Sequence, residues 1–412
     1  MSLAECRGAM IDVDEAYKVL FANVTPVGTE QVALEAALYR TLAAPVRCDV
    51  DFPPFDKSAM DGYAVRAADV APAPVTLKVV GQIAAGATSE KALAAGEAMQ
   101  INTGAPMPPG ADAVVRVELT ELTGSGEAVV IRESVPPGKF ITPRATYTSA
   151  GQTVLEAGTR MTPLVIGSAA TAGAARVTVY RRPKVAILAT GDELVEIDRK
   201  PVGAQIRDSN RHLLAALITS AHAEPVALTT ARDDRESLRE QILAGFGSDV
   251  LCITGGVSMG AFDFVPEVLE ACGARFHIRK MAIKPGRPTI FATSPTGTLI
   301  FGLPGNPASA FVSFELLVRP ALGALEGRQG TVPPGVRATL RGSVQSTTNR
   351  CAYVPARASV GDDGEWVVET LSWHGSGDSF GVATANALIM QAPQSKGAIS
   401  GDVVSMILLD RV

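Results

Sequence analysis

Five short stretches gather the residue types that handle phosphate: TGDEL, ARDD, GGVSMG, KPGRP and LPGNPASA. Each follows an apolar, strand-like run: VAILA, PVALTT, DVLCIT, RFHIRKMAI and TLIFG respectively. In FGLPGNPASA, Gly302 and Gly305 let backbone approach a ligand with no Cβ in the way, while Pro304 and Pro307 fix φ and stiffen the turn. Asn306 or Ser309 is placed to cap the helix that carries AFVSFELL, and a helix N-terminus exposes free N–H groups that favour an anion. Gly255 and Gly256 repeat the device, with Ser258 as a hydrogen-bond donor, and Lys280, Lys284 and Arg287 bring positive charge to a neighbouring strand end. Any one of these turns also reads as an ordinary strand-to-helix connection or a solvated face.

Carboxylates crowd the same edge: Asp192 and Glu193, Asp233 and Asp234, and Asp263. Acids beside a phosphate site repel the ligand unless a cation intervenes, so acids and lysines together suggest Mg²⁺ bridging to phosphate oxygens. Taken singly, each acid reads more readily as a helix cap or dipole partner than as a metal ligand; the set together favours the metal. Two further Gly/Pro-rich stretches lie elsewhere, PPFDKSAMDGYAVR with Asp61, and INTGAPMPPGADAVV with Thr103. Their spacing alone assigns them no chemistry.

The elements that position these residues follow from periodicity. From Lys184 to about residue 325, apolar strands alternate with helical stretches such as NRHLLAALITSA, DRESLREQILAGF and VPEVLEAC. That alternation predicts a doubly wound α/β domain with a parallel sheet, whose ligands collect at the carboxyl ends of the strands. Residues 11–48 read as helical, including an amphipathic TEQVALEAALYRTLA opened by Thr29 as N-cap. Short Val-rich runs broken by Pro and Gly predict a small β domain over 51–140, and a second β domain over 328–412.

At 412 residues the chain exceeds one hydrophobic core, and roughly 100–200 residues per domain suggests several. A formal charge of -5 gives no general pull towards nucleic acid or anionic lipid. Five scattered cysteines without a C-x-x-C spacing read as thiols of a reducing compartment, and four scattered histidines make no zinc site. The N-terminus carries acids where a signal peptide needs an apolar core, and no uninterrupted apolar run reaches the ~18 residues of a membrane helix. The cytoplasm is the expected location.

In this order and with these separations, DKSAMDGYAVR, NTGAPMPPGADAVV, ATGDEL, TGGVSMG, MAIKPGRP and LPGNPASA closely resemble the molybdopterin molybdenumtransferases, the bacterial MoeA proteins and the insertase domain of gephyrin-like proteins. The resemblance runs from the N-terminal helix to GSGDSFGVATANAL. It implies a multidomain α/β plus β fold: a doubly wound MogA-like α/β domain over 181–327, an inserted β domain over 51–140, a discontinuous linker domain over 1–50 and 141–180, and a C-terminal β-barrel-like domain over 328–412. It also implies a homodimer with its cleft between the α/β domain of one subunit and the C-terminal domain of the other. The implied reaction takes adenylated molybdopterin and molybdate, with Mg²⁺, to molybdenum cofactor and AMP. Molybdopterin adenylyltransferase and molybdoenzyme maturation proteins are the implied partners. Carried over, Asp61, Thr103, Glu193, Asp233, Asp263, Lys280 and Lys284 match catalytic positions, with Glu193 and Asp263 at the metal. Pro304, Pro307 and Ser376 match substrate-facing positions, beside Gly255, Gly256, Ser258, Arg287, Gly305 and Asn306.

Two positions depart from the family pattern. Ala261 stands in GGVSMGAFDF where the family usually has glutamate, and Tyr147 where it usually has an acid. These losses motivate an alternative, a divergent paralogue that binds molybdopterin or its nucleotide form without turnover, as carrier or maturation partner. A third reading uses the fold only as a scaffold for protein contacts.

Overall fold

In the computed structural model, residues 10–257 and 264–409 are described. Ser258, Ala261 and Asp263 lie outside them.

The chain opens with the helix Val13–Phe21, capped by Asp12, whose side chain accepts from Glu15 N at 2.8 Å. Its buried Val13, Ala16 and Leu20 pack into the core of the α/β domain with Leu316, Leu317 and Leu322. The second expected helix does not form. Thr29–Ala33 is a strand, paired antiparallel with Arg176–Tyr180 from Thr29↔Tyr180 to Ala33↔Arg176, and Leu34–Ala37 is a single 3₁₀ turn. The ready partner strand outweighs a modest helical propensity, and Tyr39, at φ 61°, turns the chain away. Thr29 therefore caps nothing. This strand pair, with Leu34, Leu42, Val46, Met161, Ala169 and Val179, forms a compact core that joins the two flanks of the β insertion.

The insertion is a six-stranded sheet running Ala113–Arg116, Gly62–Val65, Glu97–Ile101, Val75–Ile83, Ala128–Ile131 and Thr120–Thr123, with its own core around Tyr63, Val65, Leu77 and Val115. Gly62 is imposed by packing: a Cβ there would lie 1.9 Å from the Val115 carbonyl oxygen.

The α/β domain contains β1 Lys184–Ala189, α1 Ser209–Ser220, β2 Glu224–Ala227, α2 Arg235–Gly245, β3 Val250–Thr254, α3 Val265–Ala271, β4 Arg275–Ile278, β5 Ile290–Thr293, β6 Leu299–Leu303 and α4 Pro307–Ser313. Sheet order is β2-β1-β3-β6-β5-β4. The first four strands are parallel, as the alternation predicts, but β5 is antiparallel to both β6 and β4. The run RFHIRKMAI is not one strand either. It ends in this sheet at Ile278, and Ile283–Lys284 crosses to pair with Cys351–Ala352 of the C-terminal domain. The helical run Pro307–Leu325 is 19 residues long and apolar, and it is mostly buried as the core helix of the domain. Its π-helical stretch Phe314–Val318 precedes Pro320, where the ladder loses a donor.

In the C-terminal domain, strands Cys351–Val360, Trp366–Thr370, Val336–Arg341, Val403–Leu408 and Ala387–Gln391 pair in sequence, and the last pairs back with the first. The five close into a barrel, which removes free edges. Fold class thus matches the expectation, with the mixed sheet as its refinement.

Candidate active site

The carboxyl ends of β1, β3 and β6 meet at one edge of the sheet. β1 runs into Thr190 and Gly191, β3 into Gly255 and Gly256, and β6 into Pro304–Pro307. The contacts are backbone-close. A Cβ on Gly255 would lie 2.5 Å from the Thr190 carbonyl oxygen, and one on Gly305 would touch the Gly255 Cα at 3.7 Å. Gly255 and Gly256 have φ of 92° and 61°, which a side chain would strain. The glycines expected to cradle an anion are therefore adjacent in space.

Three acids border this floor. Thr190 Oγ1 donates to Asp233 Oδ1 at 3.0 Å, and Asp192 N donates to Asp233 Oδ2 at 3.2 Å. Asp233 N returns a bond to Asp192 Oδ1 at 3.3 Å, so the loops after β1 and β2 are locked together. The Glu193 carboxylate folds back over Gly191, where a Cβ would approach its Oε2 to 2.6 Å. Asp234 serves instead as the N-cap of α2, accepting from Glu236 N and Ser237 N.

The described residues hold no cluster of three His, Cys, Asp or Glu side chains able to cage an ion. Mg²⁺ commonly takes only one or two carboxylates and completes its shell with water and substrate phosphates. One or two of the carboxylates of Asp192, Glu193 and Asp233 fit a substrate-bridged ion of that kind.

Asn306 occupies the N-cap position of α4 but makes no side-chain cap. Its Nδ2 donates instead to Ser376 Oγ at 2.9 Å, while the Ser376 carbonyl accepts from Ala308 N at 3.1 Å. Ser309 is buried in the body of the helix and does not cap it. One free amide at the start of α4 is thus claimed by the C-terminal domain. The Ser376 loop is braced by Asp378, which accepts from His374 N at 2.9 Å and Gly381 N at 2.8 Å; these amides hold its carboxyl below the usual range. The C-terminal loop thus reaches the α/β turn within a single chain.

Lys280 is half-buried, and Lys284 and Arg287 are exposed. None of the three makes an ion pair with a described residue, which leaves their charges open to an anion. The turn that carries them is held to the end of α4: Thr289 Oγ1 lies 2.7 Å from Ser313 Oγ and donates to the Gly286 carbonyl.

Asp61 and Thr103 form a separate site on the inserted domain. Asp61 Oδ1 accepts from Thr103 N at 2.8 Å and Asn102 Nδ2 at 3.3 Å, and the Thr103 amide keeps its carboxyl below the ordinary value. Among the described residues, no hydrogen bond or ion pair joins residues 51–140 to residues 181–409. Tyr147 is 62% exposed, tilts against Phe52 and lies under the Lys57 ammonium at 5.8 Å. Tyr147 thus offers Lys57 a ring face.

Asn210 escaped the motif reading. It follows Asp208, the cap of α1, and its amide ties the ends of β3 and β6 together. The signal was DSN before an apolar helix, which reads as a cap and nothing more.

A doubly wound domain whose glycine turns and acids meet at one sheet edge, flanked by a β insertion and a small closed barrel, defines a multidomain α/β protein with its candidate site at that edge. Comparisons narrow the class. Residues 11–173 match the MoeA N-terminal region (domain I and II), 186–324 a probable molybdopterin binding domain, and 337–409 the MoeA C-terminal region (domain IV). A molybdopterin molybdenumtransferase of a Nostoc species is 39% identical over 87% of this chain and 84% of its own length. Its counterpart in Staphylococcus aureus is 34% identical over 97% of this chain and 96% of its own length. The crystal structure of a molybdopterin biosynthesis MoeA protein from Pyrococcus horikoshii superposes with a TM-score of 0.83 at 28% identity, covering 97% of this chain and 100% of that one. The chain belongs to the molybdopterin molybdenumtransferase family, and so to the transferases.

Proposed function

We propose that this protein carries out the metal-loading step of molybdenum cofactor biosynthesis, taking adenylated molybdopterin and molybdate to molybdenum cofactor and AMP. The observation that carries the reading is the convergence of Gly255, Gly305, Asp233 and Glu193 at one sheet edge; Lys280, Lys284 and Arg287 make no ion pair with a described residue. In this reading the two glycine turns receive the pyrophosphate close to backbone. Lys280, Lys284 and Arg287 offset the charge of pyrophosphate and oxyanion, and displacement at the phosphoanhydride then needs mainly positioning and charge compensation. Mg²⁺ would be held by Glu193 with one further carboxylate, Asp192 or Asp233, and would neutralise charge on the phosphate oxygens; Asp263, the other acid the resemblance implies at the metal, lies outside the described residues. Asp61 and Thr103, which among the described residues make no hydrogen bond or ion pair with residues 181–409, would complete the site from the second subunit of a homodimer, which assigns the inserted domain to the cleft where the resemblance implied the C-terminal domain. The setting would be the cytoplasm, with the adenylyltransferase as supplier and maturation proteins as recipients.

The test is AMP release from adenylated molybdopterin by the purified protein, with Mg²⁺, and with molybdate present or omitted. Release that depends on both supports the reading. Tight binding without release would replace it with the carrier alternative.

A further inference from the structure

Asn210 lies in the first turn of α1, and both hydrogens of its amide are committed. One goes to Thr254 Oγ1 at 2.8 Å, the other to the Gly305 carbonyl at 2.7 Å. Thr254 is the last residue of β3, directly before Gly255 and Gly256; Gly305 is the centre of the turn after β6. One side chain therefore spans the two turns that face the ligand. It is 8% exposed, and the orientation of its amide is fixed because the Gly305 carbonyl only accepts. The remaining atom, Oδ1, is buried with no hydrogen-bond partner among the described residues. A buried acceptor left unmade is unfavourable, a cost that functional sites are known to carry. A helix cap has no use for this arrangement, since Asp208 already fills that role by accepting from Arg211 N at 3.0 Å.

We propose that Asn210 is a positioning residue of the transfer site, setting the separation of the Gly255–Gly256 and Pro304–Pro307 turns so that the pyrophosphate is held in line for displacement. The inference rests on the reading above for its substrate. It predicts that losing the amide donors harms turnover more than binding, because a small displacement of groups that face the reacting bond costs up to about 10²-fold.

The experiment uses the full chain carrying Asn210→Asp, which keeps shape but replaces both donors with an acceptor facing the Gly305 carbonyl. At pH 8 kcat for AMP release should fall about 30-fold while KM for adenylated molybdopterin changes less than about threefold. Lowering the pH to 6 should recover about fivefold relative to wild type, because a protonated carboxyl regains one donor. Hydrogen exchange of residues 303–311, measured without substrate, should quicken in the variant, with residues 163–171 unchanged. Wild-type kcat at both pH values, or a loss in KM alone, would overturn the proposal. Should the wild-type protein release no AMP, the metal-loading reading fails by itself, and unchanged exchange at 303–311 would then refute the positioning role separately. Asn210→Ser, which retains one donor and is smaller, covers the case in which the aspartate variant does not fold, with the same kcat-specific loss expected and an unchanged kcat refuting the role.

Discussion

At the scale of single residues, Asp61 and Gly62 sit side by side yet answer to different forces. Asp61 is exposed, and its two described donors, both from the Asn102–Thr103 loop, preorganise its carboxylate. Asp61→Ala should therefore cost about 10²-fold in AMP release, as loss of a preorganised site group does. It should shift unfolding free energy by no more than about 0.5 kcal/mol, as surface changes do. Steady-state kinetics and urea unfolding on one preparation check both halves. Gly62→Ala should do the reverse of a site mutation and unfold the insertion, by about 3 kcal/mol, because its Cβ meets the Val115 carbonyl oxygen. Both residues stood out in DKSAMDG, but only the glycine's reason is steric, and no spacing rule distinguishes a steric glycine from a ligand-approach glycine.

Among elements, the link between the start of α4 and the loop around Ser376 is the one that most directly shapes the site. Ser376→Ala removes the acceptor for Asn306 and leaves the backbone bond from Ala308 N intact. Turnover should drop about tenfold, the worth of one hydrogen bond in the transition state, with stability within about 1 kcal/mol; an unchanged kcat would show that the link is ornamental. The strand ends of the α/β domain were legible because apolar runs and glycine turns are local signals. β5 was not, since TIFAT is short and its antiparallel placement depends on β6. Nor was the crossing of Ile283–Lys284 to the barrel, which depends on Cys351, nearly seventy residues on. Thr29–Ala33 misled for the same reason, its partner being some 150 residues away. Asn306 looked like a cap because caps are local, and its true partner lies in another domain.

On the scale of the whole molecule, the junction between the linker core and the α/β domain carries an unusual charge cluster. Glu326 is buried, and its nearest described partner is Arg328, whose Nη2 lies 3.1 Å from Oε2. Burial pushes its carboxyl up to about 7 despite Arg328, Arg40, Arg160 and Arg182. His222, 2.9 Å from Arg160, is pushed down to about 4 by burial and then by the neighbouring arginines. The folded state thus holds the Glu326 proton more tightly than the unfolded chain, so this residue's contribution is full below its unfolded pKa and fades as pH rises to about 7. His222 works oppositely, its penalty fading as pH climbs from about 4 to its ordinary value. Glu326→Gln removes only the first effect. Its stability relative to wild type should rise between pH 5 and pH 7 by about 2 kcal/mol, read by urea unfolding at each pH. A pH-independent difference would contradict that assignment.

The proposed dimer has its own signature at this scale. Mixing Asp61→Ala with Lys284→Ala subunits should restore roughly a quarter of wild-type turnover, because half of the dimers are mixed and each has one intact site. The central claim, that this sheet edge loads metal rather than merely binding pterin, is tested most directly by coupling. Wild-type protein would be given adenylated molybdopterin, Mg²⁺ and molybdate, and AMP counted against active cofactor recovered in an apo-molybdoenzyme. The account predicts one active cofactor for each AMP released. AMP release that yields no active cofactor, or no dependence on molybdate, would contradict it.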